Sequence, residues 1–155
     1  MSGLFCVAEQ SGRCRLTRRP QKMNQTSAPP ETPRKRFPRS LLANITASKM
    51  LGVRAGTEHR FTGVWVVVVR ERVFVRPWND KPDGWHRAFL REPRGTIQVL
   101  TRQVPVRARK VRGDRLLDAI DEAYRGKYNT KASQKWVRGF RLERRRLTTL
   151  ELFRA

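Results

Sequence analysis

Cysteine is nearly absent from this chain. Its only two, Cys6 and Cys14, lie close to the N-terminus, so nothing from Leu41 onward can form a disulfide or a thiolate metal site. Histidine is as scarce. His59 and His86 are the only two, which excludes a multi-histidine metal centre. No stretch approaches the roughly 18 apolar residues of a membrane-spanning helix. The start "MSGLFCVAEQSGRCRL" lacks the basic segment followed by an apolar one that marks a secretory signal. The cytoplasm is therefore the simplest expected location. Acidic residues are also few, 13 against 35 Lys and Arg, for a formal charge of +22. Such a charge gathers nucleic acid, acidic protein or phosphorylated cofactors alike and does not choose among them. Most of the cations are arginine, which suits phosphate and carboxylate, although a coding bias would give the same composition.

What is present is unevenly distributed. Residues 1–39 carry nine basic and two acidic residues and no sustained apolar pattern. "TSAPPETPRKRFPRS" places four prolines among small and charged residues and cannot build a core. We expect a disordered, basic, Pro/Arg-rich tail over 1–39, with Met23 a candidate translation start inside it, and one domain over 40–155.

Within that domain, Leu41, Leu42, Ile45 and Met50 recur at helical spacing, with Ser40 as cap and Gly52 as stop. "EHRFTGVWVVVV" reads as a strand entering a long buried one. Val64, Val66 and Val68 face one way and Trp65, Val67 and Val69 the other, so both faces are apolar, as in a covered sheet or a barrel. "VFVRPW" resumes after a short turn. "DGWHRAFLREP" predicts a short helix capped by Asp83 and ended by Pro93. "TIQVL" and "VPVRARKV" predict two strands, the second at an edge because of Pro105. "DRLLDAIDEAYRGKY" is a helix striped by Leu117, Ile120, Tyr124 and Tyr128, with an Asp121–Arg125 pair at i,i+4. "RLTTLELFR" predicts a closing strand. The order argues an α+β fold with a mostly antiparallel sheet or small barrel. The absence of repeating βαβ units and of GxGxxG argues against a Rossmann site.

No nucleophile–base pair or carboxylate pair stands out, so any chemistry would come from a bound cofactor. The best candidate site is the loop from Arg76 to His86. Arg76 and Lys81 offer charge-assisted bonds, Asn79 neutral ones, and the indoles of Trp78 and Trp85 could flank a planar ring. The plainer alternative is a polar loop whose tryptophans cap the barrel end. His86 is the candidate general acid or ring hydrogen-bond donor, although a lone histidine on a short helix also reads as structural. His59 reads as structural. Lys127 and Tyr128 either turn toward the barrel mouth or belong to the helix end and its apolar stripe. "RGFRLERRR" sets five arginines beside Trp136 and Phe140, which would suit nucleic acid, but without a recognised nucleic-acid motif.

The stretch "AGTEHRFTGVWVVVVRERVFVRPWNDKPDGWHRAFL", with "AIDEAYRGKY" and "TTLEL", resembles the bacterial family catalogued as domain of unknown function 2255, over about residues 41–154. That family is grouped with the flavin-binding split barrels, similar to pyridoxamine phosphate oxidase and the deazaflavin-dependent nitroreductases. The resemblance implies a small antiparallel split barrel with flanking helices and a homodimer. It also implies a site for flavin mononucleotide or a deazaflavin, with oxidoreductase activity by hydride transfer. The residues it points to are Arg60, Thr62, Arg76, Trp78, Asn79, Lys81, Trp85, His86, Lys127 and Tyr128. The alternatives are a non-catalytic basic protein contacting nucleic acid or an acidic partner, and a barrel that has lost its cofactor.

Overall fold

The computed structural model describes residues 34–155; residues 1–33 of the tail expected over 1–39, and the candidate start at Met23, lie outside them. The first element is helix α1 (Arg39–Ala47), followed by strands β1 (Met50–Ala55), β2 (Thr62–Val69) and β3 (Arg72–Val75). Helix α2 (Trp85–Arg91) leads to strands β4 (Arg94–Val99) and β5 (Arg102–Lys110). Helices α3 (Asp114–Lys127), α4 (Lys131–Phe140) and α5 (Glu143–Arg146) precede the last strand, β6 (Leu150–Arg154). The six strands close into an antiparallel barrel in the order β1-β2-β3-β6-β5-β4, β4 pairing back onto β1 with Val53 opposite Ile97. Among the described residues no helix is long and apolar enough to cross a membrane.

The two apolar faces of β2 are explained by what covers each. Val64 and Val66 point into the barrel, where they meet Leu51, Val53, Val73, Val75, Ile97, Val106 and Leu152. α1 closes that core with Leu41, Leu42 and Ile45, and α2 adds Ala88 and Phe89. Val67 and the outward Phe74 of β3 belong to a second core under α3 and α4, with Leu117, Ile120, Tyr124, Tyr128, Val137 and Phe140. The predicted stripe of α3 is thus the face that buries. A strand between a filled barrel and a helical layer needs apolar side chains on both sides, and "VWVVVV" supplies them.

Several boundaries differ from the sequence reading. Folded structure reaches back before Ser40: Phe37 is buried in the barrel core, and Lys35 bridges Arg154. α1 stops at Ala47, and Met50 begins β1. The alternation of Leu51, Val53 and Ala55 was masked by Gly52, which pairs with Gly63 inside the ladder and does not stop a helix. "EHRF" is loop. The start of α2 has Gly84 at the cap position with no side-chain cap, so Asp83 does not serve there. β5 is not an edge strand. Pro105 fits because pairing with β6 begins only at Val106, and Pro105 offers its carbonyl to the Ala155 N–H. α4 and α5 were not anticipated. Asp121 does not pair with Arg125, which binds Glu122 at 2.5 Å; Asp121 is committed elsewhere.

Two hairpins close through two-residue turns that suit glycine but hold larger residues. Arg70 and Glu71 both have positive φ (51° and 60°), as a type I′ turn requires, and Leu100 has φ 55° at 71% exposure. The left-handed region costs a non-glycine residue about 1–2 kcal/mol. Arg70→Asn and Leu100→Gly should therefore each stabilise the protein by about 0.5–1 kcal/mol, since neither side chain is buried. Thermal melting should show a rise of a few degrees for each. A fall would mean that the replaced side chain packs more tightly than its exposure indicates.

Candidate functional site

Because β2 and β3 are antiparallel, with Val66 opposite Val75, the start of β2 and the loop leaving β3 lie at the same barrel end. There the chain forms an open cavity of about 910 Å³. Its walls come from the 58–60 loop, the start of β2, the 76–85 segment and α4. Trp65, Trp78, Trp85 and Trp136 all line it, and these are the only four tryptophans in the chain.

The 76–85 segment is anchored by its first residue. Arg76 is almost fully buried. Its Nε donates to Thr149 Oγ1 at 2.8 Å, and one terminal nitrogen donates to Asp121 Oδ1 at 2.7 Å and to the Phe140 carbonyl at 2.6 Å. Arg146 Nε lies 2.9 Å from the other Asp121 oxygen. A buried charge needs such pairing. The second terminal nitrogen of Arg76 has no partner among the described residues. The guanidinium expected to grip a ligand is thus mostly occupied in holding β3 to α3, α4 and the approach to β6.

Trp78 follows two residues later, and its bulk is seated by Gly139 of α4. A Cβ on Gly139 would fall within 3 Å of the indole, so only glycine lets the ring lie there. The indole meets Trp136 edge-on at 4.6 Å and Phe140 at 5.6 Å, and the Arg145 guanidinium lies 3.8 Å over its ring. Held against α4, Trp78 forms a wall and leaves the cavity open. Trp65 is fixed from behind by Tyr128, stacked at 4.1 Å and 4°.

Of the residues singled out from sequence, the cavity brings together Arg60, Thr62, Arg76, Trp78, Asn79, Lys81 and Trp85. His86, Lys127 and Tyr128 do not line it. His86 is buried, its Nδ1 2.8 Å from Asp80 Oδ1, which also accepts from Arg87 Nε at 2.8 Å. With a carboxylate accepting there, Nδ1 carries the proton, and the buried Nε2 has no partner among the described residues. Burial raises the Asp80 carboxyl, but the bonds to His86 and Arg87 outweigh it and hold it below the usual carboxylate value. Lys127 Nζ donates to the carbonyls of Ile45 and Val66, and burial pulls its pKa down. The Tyr128 hydroxyl takes the Val66 N–H at 2.9 Å and donates to the Lys49 carbonyl at 2.7 Å. The end of α3 thereby ties α1 to β2 behind the cavity.

Sequence reading placed Trp65 only as a strand residue and Trp136 and Phe140 only beside the arginine cluster. His59, Glu58 and Asp83 also line the cavity. The available signal was the tryptophan count: four indoles in one small domain are more than its core uses.

Residues 42–152 match the family described as an uncharacterized protein conserved in bacteria, domain of unknown function 2255, and the chain belongs to that family. No curated protein matches it. Among solved structures, a conserved hypothetical protein from Mycobacterium tuberculosis is similar. It shares 11% identity over 80% of this chain and 83% of its own, with a TM-score of 0.48.

Two outcomes follow from these contacts. Arg76→Ala should destabilise the fold by about 3–5 kcal/mol, because Asp121 stays buried beside a gap, whereas Lys81→Ala should cost little. Denaturant melts of the two variants compare them, and equal stabilities would remove the anchoring role. Burial also raises both phenols, Tyr128 to about 12 and Tyr124 upward as well. Unfolded phenols titrate near about pH 10, so this stability is complete below that pH and is lost as pH rises through the folded values. These are the only tyrosines in the chain. Tyrosinate absorbance should therefore appear late and together with unfolding; a normal titration of the folded protein would contradict it.

Proposed function

We propose that this family member binds a planar, phosphorylated aromatic cofactor, a flavin mononucleotide or a deazaflavin, in the four-tryptophan cavity, and that it is an oxidoreductase. One observation carries the reading: every indole in the chain lines a single cavity that also has Arg60, Asn79 and Lys81 at its walls. The volume, about 910 Å³, falls at the upper end of ordinary small-molecule sites. The residues suit such a group. Indoles give an apolar bed for a fused ring. Exposed Arg60 and Lys81 give cations for a phosphate.

Bound there, the cofactor would supply hydride transfer at its ring. The chain's own part is to hold the ring between aromatic walls, to place cations at the phosphate and to narrow the access of water. Trp78 does the first because Gly139 and Arg145 fix it. Trp65 does so because Tyr128 backs it. His86 has no place at the ring in this reading, since it is buried outside the cavity walls. His59, at the wall, is the nearer titratable side chain. The homodimer implied by the family resemblance is checked by sedimentation of the same protein.

The test is a titration of the full chain with flavin mononucleotide and with a deazaflavin, following tryptophan and cofactor fluorescence together. Binding should quench both. Lys81→Ala and Arg60→Ala should each weaken it about tenfold or more, the loss expected for a charge-assisted phosphate bond. Arg76→Ala is unsuitable as a probe because it removes the anchor. No response to either cofactor, with the fold intact, would discard the reading.

A further inference from the structure

We infer that His86 is a positioning residue for the cavity: from its buried place in α2 it holds the Asp80 carboxylate, and so directs Asn79 and Lys81 to the cavity wall. The inference rests on the cavity being the cofactor site. Three successive loop residues divide between two sides. Asn79 and Lys81 line the cavity and Asp80 does not. They share one short backbone, so a hold on the middle residue fixes the directions of its two neighbours. That hold comes from α2. His86 Nδ1–H donates to Asp80 Oδ1 at 2.8 Å. Arg87 brings Nε to the same oxygen at 2.8 Å and a terminal nitrogen to the other at 2.6 Å. The next carbonyls are held as well, that of Lys81 by the Gly84 N–H at 3.0 Å and that of Pro82 by Arg91 at 3.3 Å.

The base of this hold is rigid. α2 seats Ala88 and Phe89 in the barrel core, and His86 itself is buried. Arg87 is half-exposed, and an ion pair open to water does little to fix a loop. The buried bond therefore decides where Asp80 stands. The identity of the residue points the same way. Nε2 is buried with no partner among the described residues, a penalty that leucine in its place would avoid. Packing alone gives no reason for an imidazole here, whereas the Nδ1–H does. The indole walls have other supports, Gly139 and Arg145 for Trp78 and Tyr128 for Trp65. The hold through Asp80 thus governs the charged end of a ligand more than its ring.

The experiment titrates the full chain with flavin mononucleotide and with riboflavin, which has the same ring and no phosphate. His86→Leu should weaken flavin mononucleotide about tenfold and riboflavin by less than about threefold. His86→Asn should recover most of the loss, because its amide N–H can stand where the Nδ1–H stood. Asp80→Ala, at a partly exposed position, should match His86→Leu, and the double variant should lose no more than either alone. A second readout needs no cofactor. Amide exchange of the 77–84 segment, followed by mass spectrometry, should be about tenfold faster in His86→Leu and in Asp80→Ala, and near the parent rate in His86→Asn. The proposal is overturned if exchange is unchanged in the first two variants, or if His86→Asn behaves as His86→Leu does. Equal losses for the two flavins, or additive losses in the double variant, overturn it as well. A parent chain that binds neither flavin but shows the expected exchange pattern discards the cofactor reading and supports the hold on the loop.

Discussion

The structure turns on one buried cation. Arg76 directly follows β3, and it reaches Asp121 of α3, the last carbonyl of α4 and Thr149 just before β6. These groups come from distant parts of the chain. Desolvating a guanidinium is costly unless the surrounding acceptors are in place. The helical layer and the barrel are therefore coupled: neither can shift without stranding a charge. A second pairing, Arg72 with Glu151 through two 2.7 Å bonds, repeats the device across the β3–β6 seam. The loop that begins at Arg76 inherits this rigidity, which is why Trp78 can be held in one orientation.

The barrel was largely legible in the sequence because burial leaves a period. The doubly apolar β2, the alternation in β3 and the α3 stripe each state which side is covered. Reading failed where the period was short or broken. Leu51, Val53 and Ala55 span only three inward positions with a glycine between them. α4 has its apolar residues at Val137 and Phe140, among cations that read as a charged patch. The site was legible in part for a related reason. Residue types suited to a ligand were concentrated in "RPWNDKPDGWHRAFL", and seven of the ten positions singled out line one cavity. Arg76 shows the limit. Sequence reveals that a cation is present, but not that Asp121, 45 residues away, has already claimed it.

Lys127 and Tyr128 illustrate a similar displacement of role. Both sit at the end of α3, where charge and hydroxyl would suit a mouth, yet both are consumed by backbone groups of α1 and β2. Their link to the cavity runs through Trp65, whose indole is sandwiched into place by the Tyr128 ring. A residue can thus matter to a site through the stiffness it gives a wall.

Closure of the barrel has a further consequence, for solubility. "VWVVVV" is a six-residue segment of high β-propensity without charge, proline or glycine, the composition that stacks into cross-β fibres when its edges are free. In the ring Val64 and Trp65 pair with β1 and Val66, Val67, Val68 and Val69 with β3, so every residue of the segment is held in a ladder of the closed barrel. Arg70 and Arg72 stand directly after the segment as gatekeepers. The same closure that shapes the cavity keeps the most aggregation-prone stretch of the chain out of circulation.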